Sequence, residues 1–273
     1  MLTNLQITLL VGGVVLAGGL GGLLAGLLGV GGGIVIVPVL FWVFTFTRFD
    51  PALAMHMAVA TSLATIIATS ISSARAHHKR GAVDMALVRR WGPWMAGGAL
   101  AGGAFAGLVN AAALMLVFGI VGLAISANLA KPKSLVVAPD LPTGKAGQPA
   151  LATGIGLVSA MMGIGGGTLG VPTLTAFSVP VHRAVGTAAT FGLIIAIPAA
   201  IALVVAGLGV AGRPPLSVGY VNLVAAALIL PASIFMAPRG AKLAHALDAK
   251  WVKRAFAVFL TITSVRMLWT ALG

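Results

Sequence analysis

The chain has 273 residues, 59% of them hydrophobic and only 8% charged. A soluble domain carries about a quarter charged residues, so this surface must face something other than water, and a membrane protein is indicated. The 17 Lys and Arg against 4 Asp and Glu give a net charge of +13, but they lie in short loops between apolar spans rather than on one amphipathic face, which argues against nucleic acid as a partner.

Five helical segments are predicted first, at about 5–28, 33–47, 51–76, 86–107 and 112–130. The first has no basic run ahead of it, as a signal peptide would, and is expected to belong to the mature fold. The stretch 131–149, from Lys131 to Pro149, is the only long polar segment and reads as a cytoplasmic linker. Five more segments follow at about 150–163, 167–178, 182–211, 217–237 and 251–271. The expected organisation is a first transmembrane repeat over 1–130, the linker, and a second transmembrane repeat over 150–273. Cys is absent, which removes disulfides, thiol chemistry and Cys-based metal sites.

The repeats are visible in the residues. Gly29-Val-Gly-Gly-Gly-Ile-Val-Ile-Val-Pro-Val-Leu40 matches Gly163-Ile-Gly-Gly-Gly-Thr-Leu-Gly-Val-Pro-Thr-Leu174, with identities that include all four glycines of the leading Gly-x-Gly-Gly-Gly, Val37/Val171 and Pro38/Pro172. His56-Met-Ala-Val-Ala-Thr61 matches His182-Arg-Ala-Val-Gly-Thr187, and Gly81-Ala-Val-Asp84 matches Gly219-Tyr-Val-Asn222. An odd number of segments per repeat puts the second half in the opposite orientation. With the His77-His78-Lys79-Arg80 loop in the cytoplasm, only Arg48, Arg213 and Arg266 of the basic residues fall at the outer side, as the positive-inside rule demands of an inverted repeat. The expected fold is thus an all-α integral membrane protein of two five-segment inverted-topology repeats, about ten helical segments including short or broken ones. Both termini are expected outside the cytoplasmic membrane. Trp91, Trp94, Trp251, Trp42, Trp269 and Tyr220 fall at span ends and are expected to anchor at the interface.

The two Gly-Gly-Gly runs carry the strongest functional signal. Three glycines in a row interrupt a helix, and unwound backbone at membrane depth is tolerated where it is buried or lines a cavity. A helix restarting after each break offers free N–H groups and a positive dipole end. Gly31, Gly32 and Gly33 facing Gly165, Gly166 and Gly167, with Thr168 beside them, would form an anion site without a charged side chain; close helix packing is the competing explanation. Thr61, Ser62 and Thr187 supply hydroxyls that can donate to anion oxygens or bond their own backbone. His56 and His182 are matched between the repeats and complete the candidate substrate-binding set. The acids Asp50, Asp84, Asp140 and Asp248 all fall near predicted ends or loops, so an intramembrane carboxylate relay is not expected. His77-His78 reads as a solvated pair. No metal or catalytic motif is present, and no cofactor is expected.

At the doubled Gly-Gly-Gly-x-x-x-x-Val-Pro motif and the following Ala-Val-(Ala/Gly)-Thr, nearly the whole chain resembles the sulfite exporter TauE/SafE family of permeases. That resemblance implies a transporter, not an enzyme, exporting sulfite, sulfoacetate or related small sulfur-containing or organic anions. It places Gly31–Gly33, Thr61, Ser62, Gly165–Gly167 and Thr187 on the family's pattern. Ala188 departs from it, standing where the first half has Ser62, so unequal half-sites are expected. A small anion and the lipid bilayer are the expected partners, and homo-oligomerisation is left open. An anion channel, an intramembrane enzyme and a structural subunit are the alternatives.

Overall fold

Hydrocarbon offers no partner for a backbone N–H or C=O, so a chain this apolar must close its hydrogen bonds within helices. The computed structural model describes residues 4–29, 31–47, 49–130, 136–142, 146–244 and 250–273, the side chains of 4–7, 9 and 250–253 excepted. Arg48, Asp248 and linker residues 131–135 and 143–145 lie outside the described residues, as do the side chains of Lys250, Trp251 and Lys253. Among the described residues the helices run α1 (Asn4–Leu28), α2 (Gly33–Phe46), α3 (Pro51–His78), α4 (Met85–Leu108), α5 (Ala111–Ala130), α6 (Gly147–Met162), α7 (Gly167–Ala176), α8 (Val181–Gly207), α9 (Leu223–Leu243) and α10 (Lys250–Leu272). Stretches of α1, α3, α5, α8, α9 and α10 are each long and apolar enough to cross a membrane. The protein is an all-α integral membrane protein.

Two elements are conspicuously short. The 14 residues of α2 and 10 of α7 reach about 21 and 15 Å at 1.5 Å per residue, less than a hydrocarbon core of roughly 30 Å. Each starts straight after a glycine interruption.

Local chemistry sets the other boundaries. Asp50 accepts from Ala52 N at 2.9 Å with Pro51 at the first helical position, starting α3. Asp84 accepts from Leu87 N at 3.0 Å and starts α4. Asn222 does the same for α9 through Ala225 N at 2.8 Å. These are side-chain N-caps. The predicted segment beginning at 217 is corrected here. Ser217–Val218 (β1) pairs antiparallel with Val221–Asn222 (β2) around Gly219, whose φ is 56°, and the helix cannot start before the Asn222 cap. α6 begins at Gly147, inside the predicted linker, where the Gln148 side chain donates to Pro142 O (2.9 Å) and accepts from Trp91 Nε1 (3.0 Å).

That last bond corrects a second expectation. Trp91 is fully buried and stacked on Phe191, and Tyr220 is buried as well, so neither anchors at a lipid interface. Trp94 and Trp269 do stay exposed.

The packing pairs match between halves. α1 lies on α9 as α6 lies on α4, α3 touches α9 as α8 touches α4, and α3 with α8 and α5 with α10 pair across the middle. Glycine allows the closest of these approaches. Along α1, Gly18, Gly22 and Gly26 sit against the carbonyls of Ile229, Ser233 and Ala237 of α9. Along α4, Gly98 and Gly102 sit against those of Thr153 and Leu157 of α6.

Candidate functional site

The two interruptions, 29–32 between α1 and α2 and 163–166 between α6 and α7, are equal in length but not in conformation. Gly29, Gly31 and Gly32 have φ of 68°, 81° and 77°, whereas in the second break only Gly163 turns positive, at 68°. Glycine adopts that region without the steric penalty of a Cβ. The described residues of both breaks are buried, and the breaks touch each other. A Cβ on Gly31 would fall 2.7 Å from Gly165 Cα, and one on Gly33 would fall 2.9 Å from Ile164 Cα. Gly166 faces Phe191 instead, and Gly167 and Thr168 are buried beside it. The structure brings the two glycine triplets together, and in this conformation no space separates Gly31 from Gly165.

The matched threonines bind across the halves. Thr61 Oγ1 of α3 accepts from Asn222 N at 3.0 Å, and Thr187 Oγ1 of α8 accepts from Asp84 N at 2.9 Å. Each thus holds the N-cap residue of a helix from the other half of the chain. An accepting hydroxyl keeps its own proton to donate. Replacing Thr61 or Thr187 by the isosteric Val should leave a buried N–H without its acceptor and cost about 1–3 kcal/mol. Serine at either position should recover most of that loss. Thermal melts of the four variants in detergent check this, and Val variants as stable as the parent would refute it.

Ser62 Oγ donates to Gly163 O at 2.7 Å, tying α3 to the opposite break. Ala188, at the matched position on α8, has no hydroxyl to make an equivalent bond. The histidines diverge too. His56 is buried, with Nδ1 3.1 Å from Ala52 O and Nε2 2.9 Å from Val109 O, and its ring stacks on Tyr220 at 5.0 Å. It links the first turn of α3 to the end of α4. Burial raises the Tyr220 pKa and Arg213 partly offsets this, which leaves the stacked phenol neutral. His182 is exposed at the start of α8. Beside it, Arg183 pairs with Asp84 at 2.9 Å, the only ion pair among the described residues.

Sequence reasoning missed the most polar element of the interior. Thr65, Thr69, Ser70, Ser73 and His77 are all buried on α3, continuing the face that bears Thr61 and Ser62. His77 is therefore not solvated as expected; its Nε2 lies 2.9 Å from Gly26 O of α1. Thr65 donates to Ser62 O (2.8 Å), Ser73 to Ala25 O (3.2 Å), and Thr69 shares a 2.8 Å bond with Ser233 of α9. Ser70 Oγ is buried without a hydrogen-bond partner against Gly192 of α8. The signal was available in the spacing, since Thr61, Thr65, Thr69, Ser73 and His77 recur every fourth residue and so form one stripe that winds slowly around the helix. At the matched positions α8 carries Phe191, Ile195, Ala196, Ala199 and Leu203. The polar face is therefore one-sided.

Comparison with known proteins gives a consistent picture. The family model described as "Sulfite exporter TauE/SafE" matches residues 14–267. A "Probable membrane transporter protein" of Haemophilus influenzae is 34% identical over 256 residues, covering 92% of this chain and 96% of the relative. The "Probable membrane transporter protein YunE" of Bacillus subtilis is 26% identical over 275 aligned positions, covering 94% and 96%. A "Probable membrane transporter protein" of Xylella fastidiosa is 32% identical over 198 residues, covering 65% and 69%. No solved structure matches the chain significantly.

Proposed function

The chain belongs to the sulfite exporter TauE/SafE family and is a membrane transporter, and from that premise we propose that it carries small sulfur-containing or organic anions, such as sulfite or sulfonates, across the cytoplasmic membrane. Transport is by alternating access of two inverted repeats around the paired breaks, with the structure as a closed state. The observation that carries this is the buried hydroxyl face of α3. It runs from the breaks at Thr61 and Ser62 to the basic end at His77. Hydroxyls solvate an anion without a buried countercharge, and on this face Ser70 is buried with no hydrogen bond made, which costs free energy until a ligand completes it.

The electrostatics favour export. Among the described residues Asp50 and Asp84 cap helices and Asp140 lies in a loop, so none offers a proton or cation site at mid-depth. A monoanion leaving a cell that is negative inside gains ~2.3 kcal/mol per 100 mV, and no coupling ion is needed.

Ser70 gives the sharpest test. Its hydroxyl lacks a partner, so Ser70→Ala should not reduce stability. A hydrogen bond to a charged group contributes about 1.5–3 kcal/mol, so sulfite efflux from proteoliposomes should fall roughly tenfold or more. Ser159→Ala, which removes another buried unpartnered hydroxyl on α6, should leave efflux unchanged. Equal rates for wild type and Ser70→Ala would reduce the hydroxyl face to packing, and efflux indifferent to an imposed potential would rule out electrogenic export.

A further inference from the structure

A cavity of about 580 Å³ lies between α3 and α9, at the end of the bundle where α3 finishes. It falls within the 300–1,000 Å³ range of ligand pockets. Its walls change character along its length. Ala68, Ile71 and Ile234 line one part, and Arg75, Lys79 and Arg80 the other. From 68 to 79 the helix rises about 16 Å. Ser72 closes the seam between the helices, donating to Ile234 O at 3.3 Å, and the Arg80 guanidinium is folded back along α3 onto Ala76 O at 2.8 Å.

The cavity is on the outside of the bundle. Residues 68, 71, 75 and 79 lie on the face of α3 opposite Ser70, Ser73 and His77, which are buried. The register-matched face of α8 bears Ile197, Ile201 and Val205, exposed by 41%, 56% and 62%. Exposed branched aliphatics on a spanning helix mark contact with hydrocarbon. In α3 the same face turns basic as it nears the helix end, and Arg75, Lys79 and Arg80 have no carboxylate partner among the described residues.

We infer that this groove binds an anionic phospholipid of the bilayer, its phosphate held by Arg75, Lys79 and Arg80 and the upper part of its acyl chains laid over Ala68, Ile71 and Ile234. Basic pockets between spanning helices bind lipid head groups in this way. A free phosphate would use the cations but leave the apolar length uncovered, whereas a lipid matches both parts. Arg75 reaches the phosphate because a long side chain carries its charge toward the interface. The inference is independent of the substrate proposed above, since the groove lies opposite the buried side chains of Ser70, Ser73 and His77.

The experiment compares the purified full-length protein in detergent with added phosphatidylglycerol, phosphatidylcholine, inorganic phosphate or soluble glycerol phosphate, read by thermal shift and by native mass spectrometry. Phosphatidylglycerol is expected to raise the melting temperature by several degrees and to remain bound, and the other three are not. The triple variant Arg75→Gln, Lys79→Gln, Arg80→Gln is expected to lose at least tenfold in apparent affinity. Arg89→Gln with Arg90→Gln, exposed on α4, should retain it. Ala68→Trp, which fills the apolar part and keeps every charge, should also weaken lipid binding, and it serves if the triple variant misfolds. Undiminished binding in the triple variant or in Ala68→Trp would overturn the inference, as would phosphate or glycerol phosphate protecting as well as the lipid.

Discussion

Gly26→Leu is expected to yield no stably folded protein, while Gly19→Ala, less than two turns away on the same helix, is expected to melt at or slightly above the parent temperature. The contrast comes from what a Cβ would meet. At Gly26 it would run into the carbonyl oxygen of Ala237 and come within 2.5 Å of Ala241 N; at Gly19 nothing lies within 4 Å. Neither obstacle at Gly26 is a flexible side chain that can swing aside. Helices in lipid are held together by close packing rather than by a hydrophobic drive, so prising α1 from α9 forfeits the dispersion contacts of the seam. Gly26→Ala alone should cost about 1–3 kcal/mol, the usual penalty for overpacking, and leucine several times the intrusion. Gly19→Ala should gain up to about 1 kcal/mol from helix propensity. Melting curves followed by size-exclusion chromatography separate the cases. A Gly26→Ala protein as stable as the parent would mean that α1 and α9 do not approach as described.

The glycine motifs made much of the architecture legible in advance. A triple glycine inside apolar text has few readings other than a break, and two of them at matched positions implied the short α2 and α7. The sequence already paired Asp84 with Asn222, but it placed Asn222 inside a helix beginning at 217, and the N-cap that delays that helix to Leu223 was not read. What it did not contain was the partner of each polar group. Thr61 and Thr187 were recognisable as equivalents, yet periodicity fixes the face on which a side chain lies and not what stands opposite. Their partners are 161 and 103 residues distant, in the other repeat. The α3 hydroxyls beyond Ser62 were overlooked for a different reason. Between alanines and isoleucines, single Ser and Thr residues barely alter an apolar span, and only their four-residue spacing gives them away. His77 was misjudged because an adjacent basic run suggested water, while a helix turns neighbouring residues about 100° apart and so buries one histidine and exposes the next.

The threonine exchange also constrains the alternating access proposed above. Each of the two central helices, α3 and α8, is fastened to the N-cap of a helix from the opposite repeat. On the α8 side the Arg183–Asp84 ion pair adds to that fastening, and the matched position on α3 is Met57. A rigid-body movement of one repeat on the other must therefore pivot at these two attachments or release them, and the side lacking an ion pair is the easier to release.

Gly31→Ala is expected to abolish most transport and to lower the melting temperature, whereas Gly170→Ala should do neither to a comparable degree. At Gly31 two penalties coincide. With φ of 81°, alanine would incur roughly 1–2 kcal/mol for the left-handed conformation. Its methyl would also press within 2.7 Å of Gly165 Cα and 3.1 Å of Gly165 N. Both partners at this contact are backbone, so no smaller residue at 165 can make room, and a second substitution there cannot rescue the first. At Gly170 the helix is regular and the added methyl would meet the edge of the Phe191 ring at 3.3 Å, a contact that a slight ring shift relieves, and Ala188 Cβ at an ordinary 3.6 Å. If the paired breaks are where the repeats bear on each other and on the anion, separating them by even a few tenths of an ångström displaces both helix starts at once, and misplacement of binding groups on that scale is enough to lose function. Anion efflux and thermal melts measured on the same reconstituted variants decide the matter. Unaltered efflux in Gly31→Ala would remove the breaks from the transport path, and an unaltered melt would deny that they touch.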